Sequence, residues 1–153
     1  MRALALGVAL ASALASTAAA QTADPAVRYD PAPGGARLPF SPAVQVSDVL
    51  YLSGQIGSLP GTTQLAPGGV PGQAKQAMDN IGRVLAAHGL SYDNLFKCTV
   101  MLGDMSKWGE FNQVYVTYFK PDRMPARSAF GANGLAMGAA LEVECWAHVP
   151  ARR

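Results

Sequence analysis

Apolar and polar residues follow two different periods along the chain, and together these periods predict a mixture of strands and helices. Apolar residues alternate with polar ones in Phe96–Leu102 and again in Leu141–Val149, and this period of two indicates strands. In Gln73–His88 the apolar residues recur at steps of three and four, which indicates a helix with one apolar face. Gly89 follows directly and suits the end of that helix.

The remaining predicted elements complete one sheet with two helices. They are a hairpin of strands Ala43–Val46 and Val49–Ile56, a second helix that begins at Asp104 or Ser106 and runs to about Phe119, and a strand over Arg127–Phe130. The resulting order is β-β-α-β-α-β-β. It indicates the α+β class, with a single mixed β-sheet and both helices packed on one of its faces.

The uncovered face of this sheet points to self-association. Successive side chains of a strand point to opposite faces, so one face carries Lys97, Thr99, Met101, Glu142 and Glu144. This set is too mixed to form a core and, in places, too apolar for an ordinary surface. Copies of the same chain would cover such a face, which predicts a closed homo-oligomer with sites in the clefts between subunits.

The N-terminal part of the chain differs from the rest. Residues 1–20 have a positive start, a short apolar run and an alanine-rich exit, which is the pattern of a secretory signal peptide and is too short for a membrane anchor. We expect cleavage after Ala20 and export to the periplasm or the medium. Residues 21–38, rich in proline, glycine and alanine, are predicted to form an extended arm, and residues 39–150 a single domain.

Charge and cysteine content narrow the range of functions. The full chain has 12 basic and 10 acidic residues, and loss of Arg2 with the signal peptide leaves 11 basic ones. This balance, without a basic run, gives no support for nucleic-acid binding. No Cys-X-X-Cys or Cys/His spacing occurs and His88 and His148 are far apart, so no metal site is predicted. Cys98 and Cys145 either form one disulfide in an oxidising compartment or remain buried thiols.

Arg127 and Glu142 carry the candidate chemistry, because each is a charged residue in a run that is otherwise mostly apolar. An arginine presents a planar fork of donors that fits a carboxylate. A glutamate in an apolar setting is suited to proton transfer. The pair therefore predicts a small site that binds an acid by its carboxylate and moves protons beside it. The alternative is an internal salt bridge between neighbouring strands, and these two residues alone do not decide between the two.

Several ordered motifs give the chain a resemblance to a known family. They are Ser53-Gly54-Gln55-Ile56, the strand from Lys97 to Leu102, Asn112 within Phe111-Asn112-Gln113-Val114-Tyr115, Pro125-Ala126-Arg127-Ser128, and Leu141-Glu142-Val143-Glu144. With these motifs in this order, the chain resembles the RidA family, also called the YjgF family, of reactive-intermediate deaminases. The resemblance covers roughly Leu38 to His148, which is nearly all of the expected mature chain.

The resemblance implies a homotrimer with a chorismate-mutase-like fold and three sites between subunits. It implies hydrolysis of enamines and imines of 2-oxo acids, of the 2-aminoacrylate/2-iminopropanoate and 2-iminobutanoate type, to the oxo acid and ammonia without a cofactor. In this comparison Arg127 would bind the substrate carboxylate. Glu142 would position the attacking water, since the spacing from the arginine selects it over Glu144. The positions that match the lining of the family's pocket are Ser53, Gly54 and Asn112.

Two departures from the family pattern concern this pocket. Many catalytic members have a tyrosine where this chain has Phe40, so a hydroxyl that would hold water or substrate is missing. Active relatives often have a cysteine where this chain has Ala129, and the smaller side chain would enlarge the pocket. Neither departure removes Arg127 or Glu142. Phe40 occupies the position of the family's tyrosine and is counted among the predicted substrate-binding residues.

Two other functions remain open from the sequence. A non-catalytic module of the same fold would keep the arginine and bind small carboxylates, which Phe40 and the export signal favour. A ribonuclease or translation inhibitor, activities also attached to this family, is disfavoured by the small net charge, the export signal and the lack of a histidine acid–base pair. Outside the site, Glu144 is expected to pair with Lys97, and Trp146 to serve packing.

Overall fold

A single mixed sheet with two helices on one face makes up the part of the chain that the computed structural model describes, residues 26–35 and 37–151. The strands are β1 (Val27–Tyr29), β2 (Ala43–Val46), β3 (Val49–Leu52), β4 (Gln55–Ile56), β5 (Leu95–Leu102), β6 (Ala126–Gly131) and β7 (Leu141–His148), and the helices are α1 (Gly69–Ala87) and α2 (Trp108–Tyr115). The predicted signal peptide, residues 1–20, and its cleavage site lie outside the described residues.

The strands lie in the order β1-β2-β3-β7-β5-β6, and the short β4 also pairs with β7. Of these pairs, β5 with β6 is parallel and the others are antiparallel. The sheet therefore has β1 and β6 at its edges and the long β7 near its centre. The predicted α+β class is confirmed, and so are the predicted elements, although the second α-helix is shorter than predicted and is flanked by the 3-10 turns Met105–Lys107 and Val116–Tyr118. The short strand β1 was not predicted.

β1 lies within the predicted extended arm. Its residues Val27–Tyr29 pair with β2 at the edge of the sheet, and the Asp30 N–H donates to the carbonyl oxygen of Ala43 at 3.0 Å. The end of α1 holds the same segment, because His88 Nε2 lies 2.8 Å from Asp30 Oδ2. Two of the three residues of β1, Val27 and Tyr29, are of types that favour strands, but the prolines and glycines around them led to the prediction of an arm without strands. This part of the arm is thus attached to the sheet.

The predicted strand Val49–Ile56 is divided into β3 and β4 by a bulge at Ser53–Gly54. The pairing register against β7 shifts by one residue between Tyr51 and Gln55, so this side of the pair contains one residue more than β7 does. A bulge of this kind bends the strand locally and redirects the neighbouring side chains. It is the one place where the long hairpin strand departs from regular geometry.

The core lies between the helices and the covered face of the sheet. The predicted apolar face of α1 is confirmed, with full burial of Ala74, Ala77, Met78, Ile81 and Leu85. The predicted alternation in β5 and β7 is also confirmed, with full burial of Cys98, Val100, Leu102, Val143 and Cys145. Asn80 is a buried polar residue that the pattern did not reveal. Its Nδ2 donates to the carbonyl oxygens of Ile56 and Ser58, both at 3.0 Å, and so attaches α1 to the chain after β4.

No helix of the described part of the chain lies over the opposite face of the sheet. The five side chains predicted for this face are half-buried there, namely Lys97, Thr99, Met101, Glu142 and Glu144. Beside them the rings of Tyr51 and Trp146 meet edge to face, with centroids 4.9 Å apart. This mixture of aromatic, apolar and charged groups is as predicted. Among the described residues, neither helix has the length and apolar character that a membrane span requires.

Cys98 and Cys145 form a disulfide between β5 and β7, where they are direct partners in the strand register. Both side chains are fully buried on the helix-covered face. Strand alternation predicted that the two cysteines share this face, whereas the register that makes them partners is not visible in the sequence. The structure therefore selects the disulfide over two buried thiols.

Replacing both cysteines with alanine is expected to lower the free energy of unfolding by about 2–4 kcal/mol, because the bond closes a long loop in the unfolded chain, with its ends 47 residues apart in sequence. Chemical denaturation of the wild type and the double variant, each with and without reductant, measures this change. Reductant should destabilise the wild type and leave the variant unaffected. Two free thiols in denatured, unreduced wild-type protein would contradict the assignment.

Candidate functional site

Glu142 lies on the open face of β7, and its side chain reaches Gly54 in the bulge. Its partner in the strand register is Ile56 of β4. A Cβ atom at position 54 would overlap the Glu142 carboxyl group, so glycine is needed there for the carboxyl group to come so close to the backbone. Among the described residues, none forms a hydrogen bond or an ion pair with the half-buried Glu142 side chain. Both carboxyl oxygens are thus free to bind a water molecule or a substrate.

Ser53 holds the neighbouring segment against this bulge. Its N–H donates to the carbonyl oxygen of Pro42 at 3.0 Å, and its Oγ donates to the carbonyl oxygen of Ser41 at 2.6 Å. These bonds fix the chain that carries Phe40, the residue before Ser41, and the Phe40 side chain is 55% exposed. The four predicted site residues on this side are called the Glu142 group: Phe40, Ser53, Gly54 and Glu142.

Arg127 lies on the edge strand β6 with its side chain toward α2. Its guanidinium carbon Cζ is 4.5 Å from the ring centroid of Trp108 and 4.7 Å from that of Tyr115. In the parallel register it stands beside Cys98, whose side chain faces the helices. Within the described part of the chain, the half-buried guanidinium has these two ring contacts and neither a hydrogen bond nor an ion pair.

Asn112 lies on the same face of α2 as the two rings, because positions 108, 112 and 115 are separated by four and three residues. Its Oδ1 atom and the hydroxyl of Tyr115 are both buried, and neither has a hydrogen-bond partner among the residues that the structure describes. Burial raises the pKa of Tyr115 to about 12, although the Arg127 charge acts in the opposite direction, so the hydroxyl stays protonated at neutral pH. Such unpaired polar atoms are uncommon in folded proteins and are consistent with a polar ligand.

The residues around Arg127 are called the Arg127 group: Trp108, Asn112, Tyr115 and Arg127. The sequence patterns assigned Trp108 and Tyr115 only to the apolar face of the second helix, so their contact with the arginine is new. A signal for it was present in the strand alternation. Arg127 shares the face of its strand with Ala129, and that face is the one the aromatic side of α2 covers.

Within one subunit the two groups lie on opposite faces of the sheet. Glu142 faces the open side, Arg127 faces the helices, and β5 lies between their strands. The alternative of a salt bridge between neighbouring strands is therefore wrong for the single subunit, because β6 and β7 are not neighbours. Two surface cavities of the described residues also lie elsewhere, one beside the arm and the end of α1 and one beside the end of α2. One subunit alone does not bring the predicted site together.

The other charged residues near these groups have separate partners. Lys97 Nζ donates to Ser128 Oγ at 2.7 Å, and Glu144 Oε1 accepts from Trp146 Nε1 at 2.7 Å, so the expected Lys97–Glu144 pair is not formed within the subunit. Trp146 packs against Tyr51, as predicted. Over residues 26–35 and 37–151, no three His, Cys, Asp or Glu side chains are grouped closely enough to share a metal ion.

Comparison with known proteins identifies the family. The family model described as Endoribonuclease L-PSP matches residues 31–149. The chain is 45% identical over 106 residues to the 2-iminobutanoate/2-iminopropanoate deaminase of Mus musculus, covering 69% of this chain and 78% of that protein. It is 43% identical over 110 residues to the human protein of the same name, covering 72% of this chain and 80% of that protein.

Solved structures give the same result for the fold. The crystal structure of RidA from the Antarctic bacterium Psychrobacter sp. PAMC 21119 matches with a TM-score of 0.70 and 33% identity, covering 81% of this chain and 98% of that chain. Because the family model spans most of the sequence and the relatives exceed two fifths identity, the motifs that resemble this family reflect true membership. The chain belongs to the RidA/YjgF family.

Proposed function

We propose that this protein is a hydrolytic deaminase that converts enamines and imines of small 2-oxo acids, of the 2-iminopropanoate and 2-iminobutanoate type, to the 2-oxo acid and ammonia. The similarity to two mammalian proteins named for this activity carries the proposal. The site chemistry supports it, because a guanidinium without an ion pair and a carboxyl group without a hydrogen bond are both retained among the described residues. The reaction needs no stronger nucleophile than water, since an imine carbon is already electrophilic.

The two charged groups divide the reaction between them. Arg127 binds the substrate carboxylate through its N–H edge and so positions the imine carbon. Glu142 accepts a proton from the attacking water, whose oxygen bonds to that carbon, and returns the proton to the nitrogen. The hydroxyl group formed in this way then passes its proton to the nitrogen as the carbon–nitrogen bond breaks, so that ammonia leaves and the carbonyl of the 2-oxo acid forms. An enamine enters the same sequence after protonation of its carbon gives the imine.

The site itself is proposed to lie between subunits of a homotrimer, the assembly that the family resemblance implies. Two observations support this assignment. The Arg127 group and the Glu142 group face opposite sides of the sheet in one subunit, so a shared cleft requires two copies. The open face, which carries Glu142 together with aromatic and apolar side chains, has no helix among the described residues to cover it. A closed ring of three copies would pair each Arg127 group with a neighbour's Glu142 group.

Single substitutions in the two groups test the chemistry. An amino-acid oxidase with its substrate supplies the imine, and its decay is followed on the mature protein. We expect Arg127→Ala to lower kcat/KM by about 100-fold or more through lost positioning, and Glu142→Gln to lower kcat by about 100- to 10,000-fold through lost proton transfer. Glu144→Gln is the matched control, because Glu144 lies one pleat away and bonds Trp146. If the imine decayed equally fast with the wild type and with Arg127→Ala, the proposal that this protein hydrolyses imines would be wrong.

Mixing the two inactive variants tests where the site lies. Arg127→Ala and Glu142→Gln chains, coexpressed with different tags, should form mixed trimers in which about a quarter of the sites combine an intact Arg127 with an intact Glu142, and activity should return to that level. Coexpression of Arg127→Ala with the double variant is the control and should restore nothing. A mixed sample as inactive as its parents would show that each site belongs to one subunit.

A second function receives some support from Phe40. This ring is exposed and has no hydroxyl to hold water or substrate, which favours a non-catalytic module that binds small carboxylates. Calorimetric binding of 2-oxobutanoate by a wild-type protein that leaves the imine intact would select this function. The structure gives less support to a ribonuclease, because neither histidine belongs to the two groups. His88 pairs with Asp30, and His148 lies 3.9 Å from Asp48.

Export of the mature chain from residue 21 is also part of the proposal. The buried disulfide between Cys98 and Cys145 supports it, since such bonds persist in oxidising compartments and are rare in the cytosol. The imine would then come from an oxidase acting on amino acids outside the cytoplasm. Expression of the full chain should yield, in the periplasm or the medium, a protein whose intact mass corresponds to a start at Gln21. Full-length protein confined to the cytoplasm would contradict export.

A further inference from the structure

The Arg127 guanidinium is held by aromatic rings and by nothing else that the described chain provides. Its Cζ atom lies 4.5 Å from the Trp108 centroid and 4.7 Å from the Tyr115 centroid, which is within the range of cation–π contacts. Neither a hydrogen bond nor an ion pair from a described residue fixes its orientation. The position of the guanidinium within the subunit therefore depends on these two rings.

The rings are themselves fixed by their neighbours along the helix. Phe111 stacks on Trp108 with centroids 6.0 Å apart and packs against Tyr115 at 5.4 Å, and Phe119 packs against Tyr115 at 4.8 Å. Phe111 is fully buried, and Tyr115 is 3% exposed. Rings anchored in this way have few alternative rotamers, so they present a rigid surface to the guanidinium.

We propose that Trp108 and Tyr115 are positioning residues that orient the Arg127 guanidinium for a substrate carboxylate. The inference rests on the proposed function, in which Arg127 binds that carboxylate. Rings packed over the faces of a guanidinium leave its edge, where the N–H donors lie, for an anion. A planar carboxylate that approaches this edge accepts two parallel hydrogen bonds. The rings would thus favour 2-imino acids over imines that lack a carboxylate next to the reacting carbon.

Substitutions of Tyr115 distinguish a role of its ring from a role of its hydroxyl oxygen. This hydroxyl is buried without a hydrogen-bond partner from the described residues, an arrangement that destabilises a fold rather than stabilising it. Tyr115→Phe keeps the ring over Arg127 and removes only this oxygen. We expect this variant to keep the orientation of the guanidinium, whereas Tyr115→Leu should lose it.

A double-mutant cycle between Trp108 and Arg127 tests positioning against a general role in stability. With Arg127 present, Trp108→Leu should raise KM and weaken 2-oxobutanoate binding by about 10-fold, with a smaller effect on kcat, because it affects ground-state binding. In the Arg127→Lys background, which lacks the planar fork, the same change should have little further effect. Trp108→Phe should restore most of the affinity.

Tyr92→Leu is the matched control for this cycle. Tyr92 packs in the same aromatic layer, against Tyr118 and Phe119, but has no ring contact with Arg127. Its replacement should lower the free energy of unfolding and leave KM unchanged, and a double-mutant cycle with Arg127 should give no interaction energy. Equal losses from Trp108→Leu in the wild-type and Arg127→Lys backgrounds would overturn the proposal, because they would show a purely structural role.

A spectroscopic measurement keeps the proposal testable if no imine is hydrolysed. Protons over an aromatic face experience a ring-current shift, so the Nε–H resonance that disappears in Arg127→Lys should lie upfield in the wild type. It should remain there in Trp108→Phe and Tyr115→Phe and move downfield in Trp108→Leu. Failure of imine hydrolysis alone would refute the proposed function, whereas an unshifted Arg127 resonance, or 2-oxobutanoate affinity unchanged by Trp108→Leu, would refute the positioning role.

Discussion

The alternation of side chains between the two faces of one sheet is the constraint on which the rest of this structure depends. Helices cover only one face, so each residue of the central strands is assigned either to the core or to the open side. Val143 and Cys145 are buried by this rule, and Glu142 and Glu144 between them are not. The same rule turns Arg127 toward the helices. Arg127 and Glu142, separated in this way, do not meet within one subunit.

Two local departures from regular structure adapt this simple frame to chemistry. The bulge at Ser53–Gly54 shifts the register against β7 by one residue, and Gly54 within it has no side chain to occupy the space of the Glu142 carboxyl group. The aromatic side of α2 supplies flat surfaces for a charged group that has no ion pair with a described residue. Together they leave the Glu142 carboxyl group and the Arg127 guanidinium without an ion pair among the described residues.

Much of the fold was predictable because its signals are local. The periods of two and of three to four residues identified β5, β7 and α1, and alternation alone assigned Glu142 to the open face. The predictions were less complete where the outcome depends on pairing between distant segments. The three residues of β1 become a strand only because β2 offers them a free edge, and the division of β3 from β4 depends on the register against β7.

For the candidate site, too, local motifs were predictable, and arrangements that depend on distant segments were not. The motifs identified Arg127 and Glu142. Their placement on opposite faces depends on the order of the strands in the sheet, and the residue pattern within one strand does not reveal that order. Trp108 and Tyr115 were visible only as apolar residues of a helix, because a cation–π contact looks like ordinary packing in a sequence. Asn112 was identified by its motif, but the absence of a partner for its oxygen is a property of the folded chain.

The covalent link between Cys98 and Cys145 has a consequence for how the molecule is built. The two residues are paired in register, and a slip of β7 by one position would carry Glu142 inward and an apolar neighbour outward. Once the sulfurs are joined, that error is no longer accessible. The disulfide therefore keeps the Glu142 side chain on the open face, and every copy in which the bond has formed presents this carboxyl group in the same orientation.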